Sequence, residues 1–280
     1  MFYLLLSVLC SATLSIVMRL SEGKIQSKVS MLAANYLTCF LITGCFMDMG
    51  GVSLRTEGMG AALAMGVING IFYMLSLLLH QYSISKNGIV LSSIFSKMGG
   101  LLIPLAISIF LFREMPTAFQ VVGFILAIAA ILLINYRKNG GTGSGQRAIL
   151  LVLLVTEGFA GVMAKVFREL GNEVLGDYFL FFTFVSAFLI CAWIVAMKKE
   201  RPGKRELFYG IMIGVPNFMA SRFMLKALES VAAVIVYPTR SVGGIVLIAL
   251  AGILFFKERL TKTQLAALVV TLVALVLLNL

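Results

Sequence analysis

The sequence has few charged residues and lacks the common motifs of hydrolytic and metal-dependent catalysis. Charged side chains make up 12% of the 280 residues, and there is a single histidine. The chain has no paired aspartates, no His-Glu-x-x-His motif and no Gly-x-Ser-x-Gly motif. We therefore predict a protein that is not an enzyme and has no cofactor or metal. An intramembrane enzyme that uses buried acidic and basic groups is the alternative from another class.

Cysteine is also scarce, and its distribution does not suggest redox or zinc chemistry. The four cysteines lie inside apolar runs without the spacing of metal ligands or of an extracellular disulfide framework; they are Cys10, Cys39, Cys45 and Cys191. The apolar N-terminus lacks both a basic segment and a small-x-small cleavage site. We interpret it as a permanent first helix.

Hydrophobic residues make up 60% of the chain, and the mean hydropathy is +1.03. A soluble domain of this length cannot bury so much apolar surface, and runs of about 20 apolar residues favour membrane helices over barrel strands. The fold predicted is an all-α membrane protein of ten transmembrane helices. The apolar runs lie at about 2–21, 29–48, 58–82, 87–112, 117–136, 147–167, 174–197, 206–228, 231–256 and 262–280.

The second half of the sequence repeats the first. A shift of 144 residues places several equivalent residues on each other: Gly99-Gly100 on Gly243-Gly244, Glu114 on Glu258, Thr117 on Thr261, Gln120 on Gln264 and Asn135 on Asn279. We predict a first five-helix repeat at 1–136, a polar linker at 137–147 and a second repeat at 148–280. Because each repeat has an odd number of helices, the second should enter the membrane inverted, which in transporters places the substrate site where the copies meet.

Two small-residue motifs recur at equivalent positions of the repeats. Gly66-x-x-x-Gly70 lies in the third helix and Gly210-x-x-x-Gly214 in the eighth. Small residues one turn apart let two helix backbones approach closely. We predict that both motifs are helix-packing surfaces.

The turn before the last helix of each repeat resembles a signature of the drug/metabolite transporter superfamily, in its ten-helix EamA-like form. It reads REMPTAFQVVG in the first repeat and KERLTKTQLAA in the second. The resemblance covers essentially the whole chain. It implies two inverted five-helix repeats and a transporter that works by alternating access.

Two further stretches are similar to the four-helix small multidrug resistance branch of that superfamily: TEGFAGVMAK in helix 6 and VYPTRSVGGIVLI in helix 9. The resemblance assigns the membrane-embedded acid of that branch to Glu157, eight residues before Lys165, and its substrate-lining Tyr and Trp to Tyr237 and Arg240. The first repeat departs from the pattern with Ser11 in the acid's position and Ser96 in the Trp position. One acid and at least one base therefore replace two symmetric carboxylates, which disfavours a cationic drug as the substrate.

Three ionisable residues are predicted near the middle of the membrane: Glu157, Lys97 and Arg240. Such groups are costly in hydrocarbon, so they face a cavity or a partner. Either they form a substrate site, or Glu157 pairs permanently with Arg240 or Lys97. The predicted substrate-binding residues are Glu157, Arg240, Tyr237, Lys97, Ser96, Ser11, Asn217 and Tyr73.

These residues predict a secondary transporter of a small polar metabolite, such as an amino acid or an organic anion or zwitterion. An exporter of nucleobases, nucleosides or organic cations is the alternative within the same class. Coupling to protons through Glu157, and the choice between monomer and homodimer, stay open.

The net charge of +11 is concentrated in connections between apolar runs, so it indicates membrane orientation rather than nucleic-acid binding. Fourteen Lys and Arg residues lie in the connections after helices 1, 3, 5, 7 and 9, against four in the others. We predict a multi-pass protein of the plasma or inner membrane with the first set of connections in the cytoplasm.

Overall fold

The apolar runs form α-helices in the computed structural model, which describes residues 1–47, 56–111, 117–135, 144–231 and 233–277. Those residues contain ten α-helices, a short 3₁₀ turn at Glu173–Leu175 and no β-strand, as predicted. The helices are α1 (Phe2–Ser21), α2 (Lys28–Phe46), α3 (Met59–Asn87), α4 (Ile89–Leu111), α5 (Ala118–Asn135), α6 (Ser144–Leu170), α7 (Gly176–Met197), α8 (Lys204–Ser230), α9 (Ala233–Leu254) and α10 (Lys262–Leu277).

Several helices begin or end a few residues from the predicted bounds, and the difference is largest at the end of α3. Helix α3 continues five residues past position 82 because its polar end is paired: the buried Gln81 amide donates to Met18 O at 3.1 Å and to Glu22 Oε1 at 2.6 Å. It stops at Gly88, whose φ of 80° is left-handed and suits glycine. Helix α6 begins at Ser144, inside the predicted linker, and positions 136–143 lie outside the described residues.

The repeated Thr-x-x-Gln signature caps the last helix of each half. At the start of α5, Thr117 N donates to Gln120 Oε1 at 3.0 Å, and Gln120 N donates to Thr117 Oγ1 at 3.2 Å. Thr261 and Gln264 form the same reciprocal pair at the start of α10, at 2.9 and 3.3 Å. Both are capping boxes, which satisfy backbone donors that a helix start leaves free. Glu114 and Asn279 of the aligned set lie outside the described residues.

The helices are suited to a bilayer. Among the described residues, five helical segments are long and apolar enough to span it: Phe2–Ser21, Lys28–Phe46, Met59–Asn87, Ala148–Phe167 and Gly176–Met197. Large apolar side chains stand exposed along α1, α3, α5, α7, α8 and α10, as on a lipid-facing surface. The chain is a multi-pass membrane protein.

Most helix contacts join one half to the other, and they occur in matched pairs. Helix α1 packs on α8 as α6 packs on α3, α2 on α8 as α7 on α3, and α1 on α9 as α6 on α4. The contacts α2–α7, α4–α9 and α5–α10 join equivalent helices. The main pairs of packed helices are therefore the same when the two halves are exchanged.

The two glycine motifs lie where helices of one half pack against helices of the other, an arrangement that we term the crossed packing. A Cβ on Gly66 would lie 2.7 Å from Phe182 Cβ and 2.9 Å from Phe179 O of α7. A Cβ on Gly210 would lie 2.6 Å from Met31 O of α2. The contacted residues of α2 and α7 are themselves equivalent, since a shift of 148 carries Met31, Ala34, Asn35 and Thr38 onto Phe179, Phe182, Thr183 and Ser186. The predicted packing role of both motifs is confirmed.

Connections of alternate helices gather at opposite ends of the bundle. At one end, which we term the basic face, Gln26 N of the α1–α2 connection donates to Glu206 Oε1 at 2.6 Å, and Ile89 N at the start of α4 donates to Glu258 Oε1 at 2.8 Å. At the other end, Asn172 Nδ2 donates to Glu57 O at 3.4 Å. This alternation is what ten consecutive spans require.

Candidate functional site

A cavity of about 120 Å³ lies between α3, α4, α6, α7, α8 and α9, near the middle of the bundle. Six of the eight predicted site residues line it: Tyr73, Ser96, Lys97, Glu157, Tyr237 and Arg240. They come from four helices of both halves. The crossed packing is what brings them together.

The other two predicted residues, Ser11 and Asn217, lie behind the cavity wall. Ser11 is buried on α1 and accepts a 2.6 Å hydrogen bond from Lys97 Nζ. Asn217 is buried on α8, and its Oδ1 accepts a 2.6 Å hydrogen bond from the Tyr73 hydroxyl. Each holds a residue that lines the cavity, so neither is placed for direct contact with a solute in this conformation.

The charged residues of the cavity differ between equivalent positions of the two halves. The 144-residue shift carries Ser96-Lys97 of α4 onto Arg240-Ser241 of α9, and all four residues line the cavity. Each helix thus supplies one base and one serine, in opposite order. Ser11 of α1 and Glu157 of α6 are also equivalent positions of the two repeats. In the first half, Lys97 of α4 is hydrogen-bonded to the Ser11 hydroxyl. In the second half, Ser241 of α9 lines the cavity together with Glu157.

Glu157 is held by a hydroxyl rather than by a base. Its Oε2 accepts a hydrogen bond from Ser76 Oγ of α3. Among the described residues, neither Lys97 nor Arg240 forms an ion pair with Glu157 within 4.0 Å. The permanent Glu157 pair that the sequence left open is therefore absent from this conformation.

Arg240 is incompletely paired. Its Nε is buried and has no hydrogen-bond partner among the residues described. A buried guanidinium nitrogen without an acceptor is unfavourable, and a carboxylate is the acceptor whose geometry matches the guanidinium fork. Lys97 donates one of its three N–H groups to Ser11 Oγ. Arg240 lines the cavity and has one buried donor without a partner among the described residues.

A polar network supports the wall of the cavity at the boundary between the halves. Tyr73 and Asn217 are 144 residues apart, so they occupy equivalent positions of the two repeats and meet directly. Asn217 Nδ2 donates to Asn35 Oδ1 at 3.2 Å, and the Tyr73 hydroxyl lies 3.4 Å from Ser221 Oγ. The network fixes the Tyr73 ring, which separates the cavity from the packed core.

Several residues of the site were missed by sequence reasoning: Asn35, Asn69, Ser76, Ser221 and Ser241. All five are neutral, and serines are frequent in apolar helices, so their residue type carries no signal. Ser241 was detectable, since it is the repeat equivalent of Lys97. Ser221 was also detectable, because it follows Asn217 by one helical turn.

The cavity has an apolar end that points away from the basic face. Phe179 and Leu180 enter it from the first turns of α7, and Met224 and Leu225 from the last turns of α8. Both helix ends lie at the face opposite the basic one. The cavity is therefore polar at mid-membrane and apolar toward that opposite face.

On the basic face, a carboxylate of the second half contacts the start of α4 in the first half. Glu258 of the α9–α10 connection accepts backbone hydrogen bonds from Ile89 N at 2.8 Å and Val90 N at 3.3 Å, and Arg19 Nε lies 3.5 Å from its Oε1. Glu258 therefore caps α4, the helix that carries Ser96 and Lys97. The glutamate of the turn before the last helix therefore has a structural role in the second repeat.

Comparisons with known proteins agree with this architecture. Residues 146–280 match the EamA-like transporter family. The chain is 24% identical over 289 residues to an uncharacterized protein of Haemophilus influenzae, and the match covers 98% of this chain and 96% of that protein. It also resembles a solved structure titled only as the crystal structure of a protein, with a TM-score of 0.68 at 14% identity, covering 99% of this chain and 94% of that one. The structural likeness concerns the fold alone.

Proposed function

We propose that this chain, whose residues 146–280 match the EamA-like transporter family, carries a small organic anion or zwitterion, such as an amino acid, by alternating access. The match of the second half supports a membrane transporter. The chemistry of the solute and the mode of movement are inferred from the residues of the cavity.

The observation that supports the proposal is that Arg240, whose Nε has no partner among the described residues, lines the cavity together with Lys97 and Glu157. A solute carboxylate would accept from Arg240, and a solute ammonium would find an acceptor in Glu157. Each charge of a zwitterion would then be paired after it leaves water, which offsets the cost of dehydration. An organic cation would meet two like charges instead.

The size and apolar end of the cavity limit the solute further. Pockets for drug-sized ligands measure roughly 300–1,000 Å³, whereas this cavity measures about 120 Å³. We therefore expect a compact solute whose apolar part points toward Phe179 and Met224. A nucleoside would need a larger site than this conformation offers.

Movement would come from rocking of the two halves around the cavity. The cavity extends toward the face opposite the basic one, while Glu258 closes the basic face against α4. In the alternate conformation, Glu258 would release α4 and the contacts around Phe179 and Met224 would close. Movement of the substrate would thus require that the contacts at one face break while the contacts at the other face form.

A counterflow experiment tests the function. Purified protein is first screened by thermal shift against small amino acids, hydroxy acids and oxo acids, and the best stabiliser is loaded unlabelled into proteoliposomes. Uptake of trace labelled solute should overshoot and then decay, because a carrier exchanges one molecule for another. The absence of saturable trans-stimulation would indicate a channel, and recovery of a chemically altered solute would indicate an enzyme.

A further inference from the structure

A second binding surface, unrelated to the central cavity, lies on the basic face between the α1–α2 connection and the start of α8. Two adjoining hollows of about 370 and 450 Å³ share three basic residues as lining. We term this surface the basic groove and define it by Lys24, Lys204, Arg205, Phe208 and Tyr209.

The positive charge of the basic groove is not balanced within the protein. Lys24, Lys204 and Arg205 are exposed, and none of them forms an ion pair within 4.0 Å among the residues that the structure describes. The carboxylate beside them, Glu206, is buried and already accepts from Gln26 N at 2.6 Å and Ser27 N at 3.4 Å. The groove therefore presents three cations that have no anionic partner.

The three cations lie beside the start of α8, where a row of exposed apolar side chains begins that faces lipid and that we term the stripe. Lys204 is followed on the same helix face by Phe208, Ile211 and Val215, at spacings of 4, 7 and 11 residues. These three side chains are 59%, 45% and 40% exposed. On a membrane-spanning helix such a stripe contacts acyl chains. The groove thus combines an anion-binding head with an apolar track directly below it.

We propose that the basic groove binds an anionic phospholipid, with its phosphate between Lys24, Lys204 and Arg205 and an acyl chain along Phe208, Ile211 and Val215. A soluble phosphate would use the cations but not the stripe, and a neutral detergent would use the stripe but not the cations. Juxtamembrane basic residues attract anionic headgroups. The bound headgroup joins the α1–α2 connection of the first half to the start of α8 in the second.

The test measures retention of single phosphatidylglycerol molecules by native mass spectrometry, with phosphatidylcholine as the comparison lipid. The purified full-length protein should retain phosphatidylglycerol preferentially. The triple variant Lys24→Gln, Lys204→Gln, Arg205→Gln should lose this preference, by about fivefold for each cation removed. The matched control is Lys198→Gln, Lys199→Gln, Arg201→Gln, which removes the same charge from the neighbouring connection and should retain the preference.

Two further measurements distinguish the sources of phosphate and guard against unfolding. Phe208→Ser keeps all three cations; it should weaken phosphatidylglycerol and leave glycerol 1-phosphate, used as the soluble probe, unaffected. Equal competition by glycerol 1-phosphate and phosphatidylglycerol in the parent would overturn the proposal. So would an equal loss of preference in the two triple variants, or a full preference in the groove variant. Circular dichroism and size exclusion verify that each variant is folded.

Discussion

At the scale of single residues, the site depends on how one acid and two bases are distributed over equivalent positions. Ser96-Lys97 and Arg240-Ser241 carry their bases one residue apart in the repeat register, so the two cations do not superimpose when the halves are exchanged. Lys97 donates to Ser11, whereas Arg240 Nε has no hydrogen-bond partner in the part of the chain that the structure describes. The two bases therefore have different surroundings despite their equal charge.

Arg240→Lys should weaken substrate binding by more than about tenfold, because a lysine cannot reproduce the two parallel donors of a guanidinium. The measurement is the dissociation constant of the purified protein by isothermal titration. Arg201→Lys, an exposed residue of the α7–α8 connection, is the control and should bind as the parent does. Parental affinity in a well-folded Arg240→Ala protein would remove Arg240 from the site.

Glu157→Gln should abolish uptake driven by a pH gradient while leaving substrate exchange in place. A solute that occupies Arg240 or Lys97 changes the charges around Glu157, which links proton binding to substrate binding. Proteoliposomes with and without a pH gradient provide the measurement, and Glu169→Gln, exposed on the same helix, is the control. Equal gradient-driven uptake by parent and Glu157→Gln would show that Glu157 does not couple transport to protons.

At the scale of helices, the stability of the bundle depends on close contacts between glycines and the backbone of neighbouring helices. A Cβ at Gly70 would lie 2.5 Å from Thr183 O and 3.2 Å from Ala187 N, atoms of the α7 backbone that cannot move independently. Gly70→Ala should therefore destabilise the protein by about 1–3 kcal/mol. Thermal unfolding in detergent measures this. Gly60→Ala on the same helix is the control, since its Cβ would have nothing within 4 Å; an equal midpoint for the two variants would contradict the packing role.

The start of α4 should depend on Glu258. Glu258→Ala removes the acceptor of Ile89 N and Val90 N, so it should cost about 1 kcal/mol, as loss of a helix cap does. Hydrogen exchange should quicken in the peptide that contains residues 89 and 90. The capping box of α10 at Thr261 should keep its parental exchange, and unchanged exchange at the start of α4 would show that Glu258 does not cap this helix.

At the scale of the whole molecule, the charges of the connections predict orientation. The basic face should lie in the cytoplasm, because basic connections are retained there. Lys198→Cys in a background without native cysteines should react with a membrane-impermeant maleimide only after permeabilisation, and Glu57→Cys at the opposite face should react in intact cells. The reverse pattern would place the basic face outside.

Much of the fold follows from the sequence because hydropathy and the repeat are properties of long segments. Ten helices, their approximate bounds and the role of Gly66 and Gly210 were all predictable on that basis. The extension of α3 to Asn87 could not be predicted, since it depends on hydrogen bonds from Gln81 to Met18 and Glu22 on other elements. In the site, charge identified Glu157, Lys97 and Arg240, but their pairing depends on neutral residues such as Ser76 and Ser11, which sequence periodicity does not distinguish from packing residues.

The crossed packing has a consequence for synthesis. Helices α1 and α2 make their main contacts with α7, α8 and α9, so during translation they enter the membrane before any of these partners exists. At roughly 5–20 residues per second, α8 begins to emerge on the order of ten seconds or more after α2 is complete. Gly210 and Gly214 then have to find Met31 and Thr38 late, on a surface that has until then been filled by lipid or by an insertion factor. The second half thus completes the first, and a ribosome that stalls between them would leave a membrane-inserted segment without its native partners.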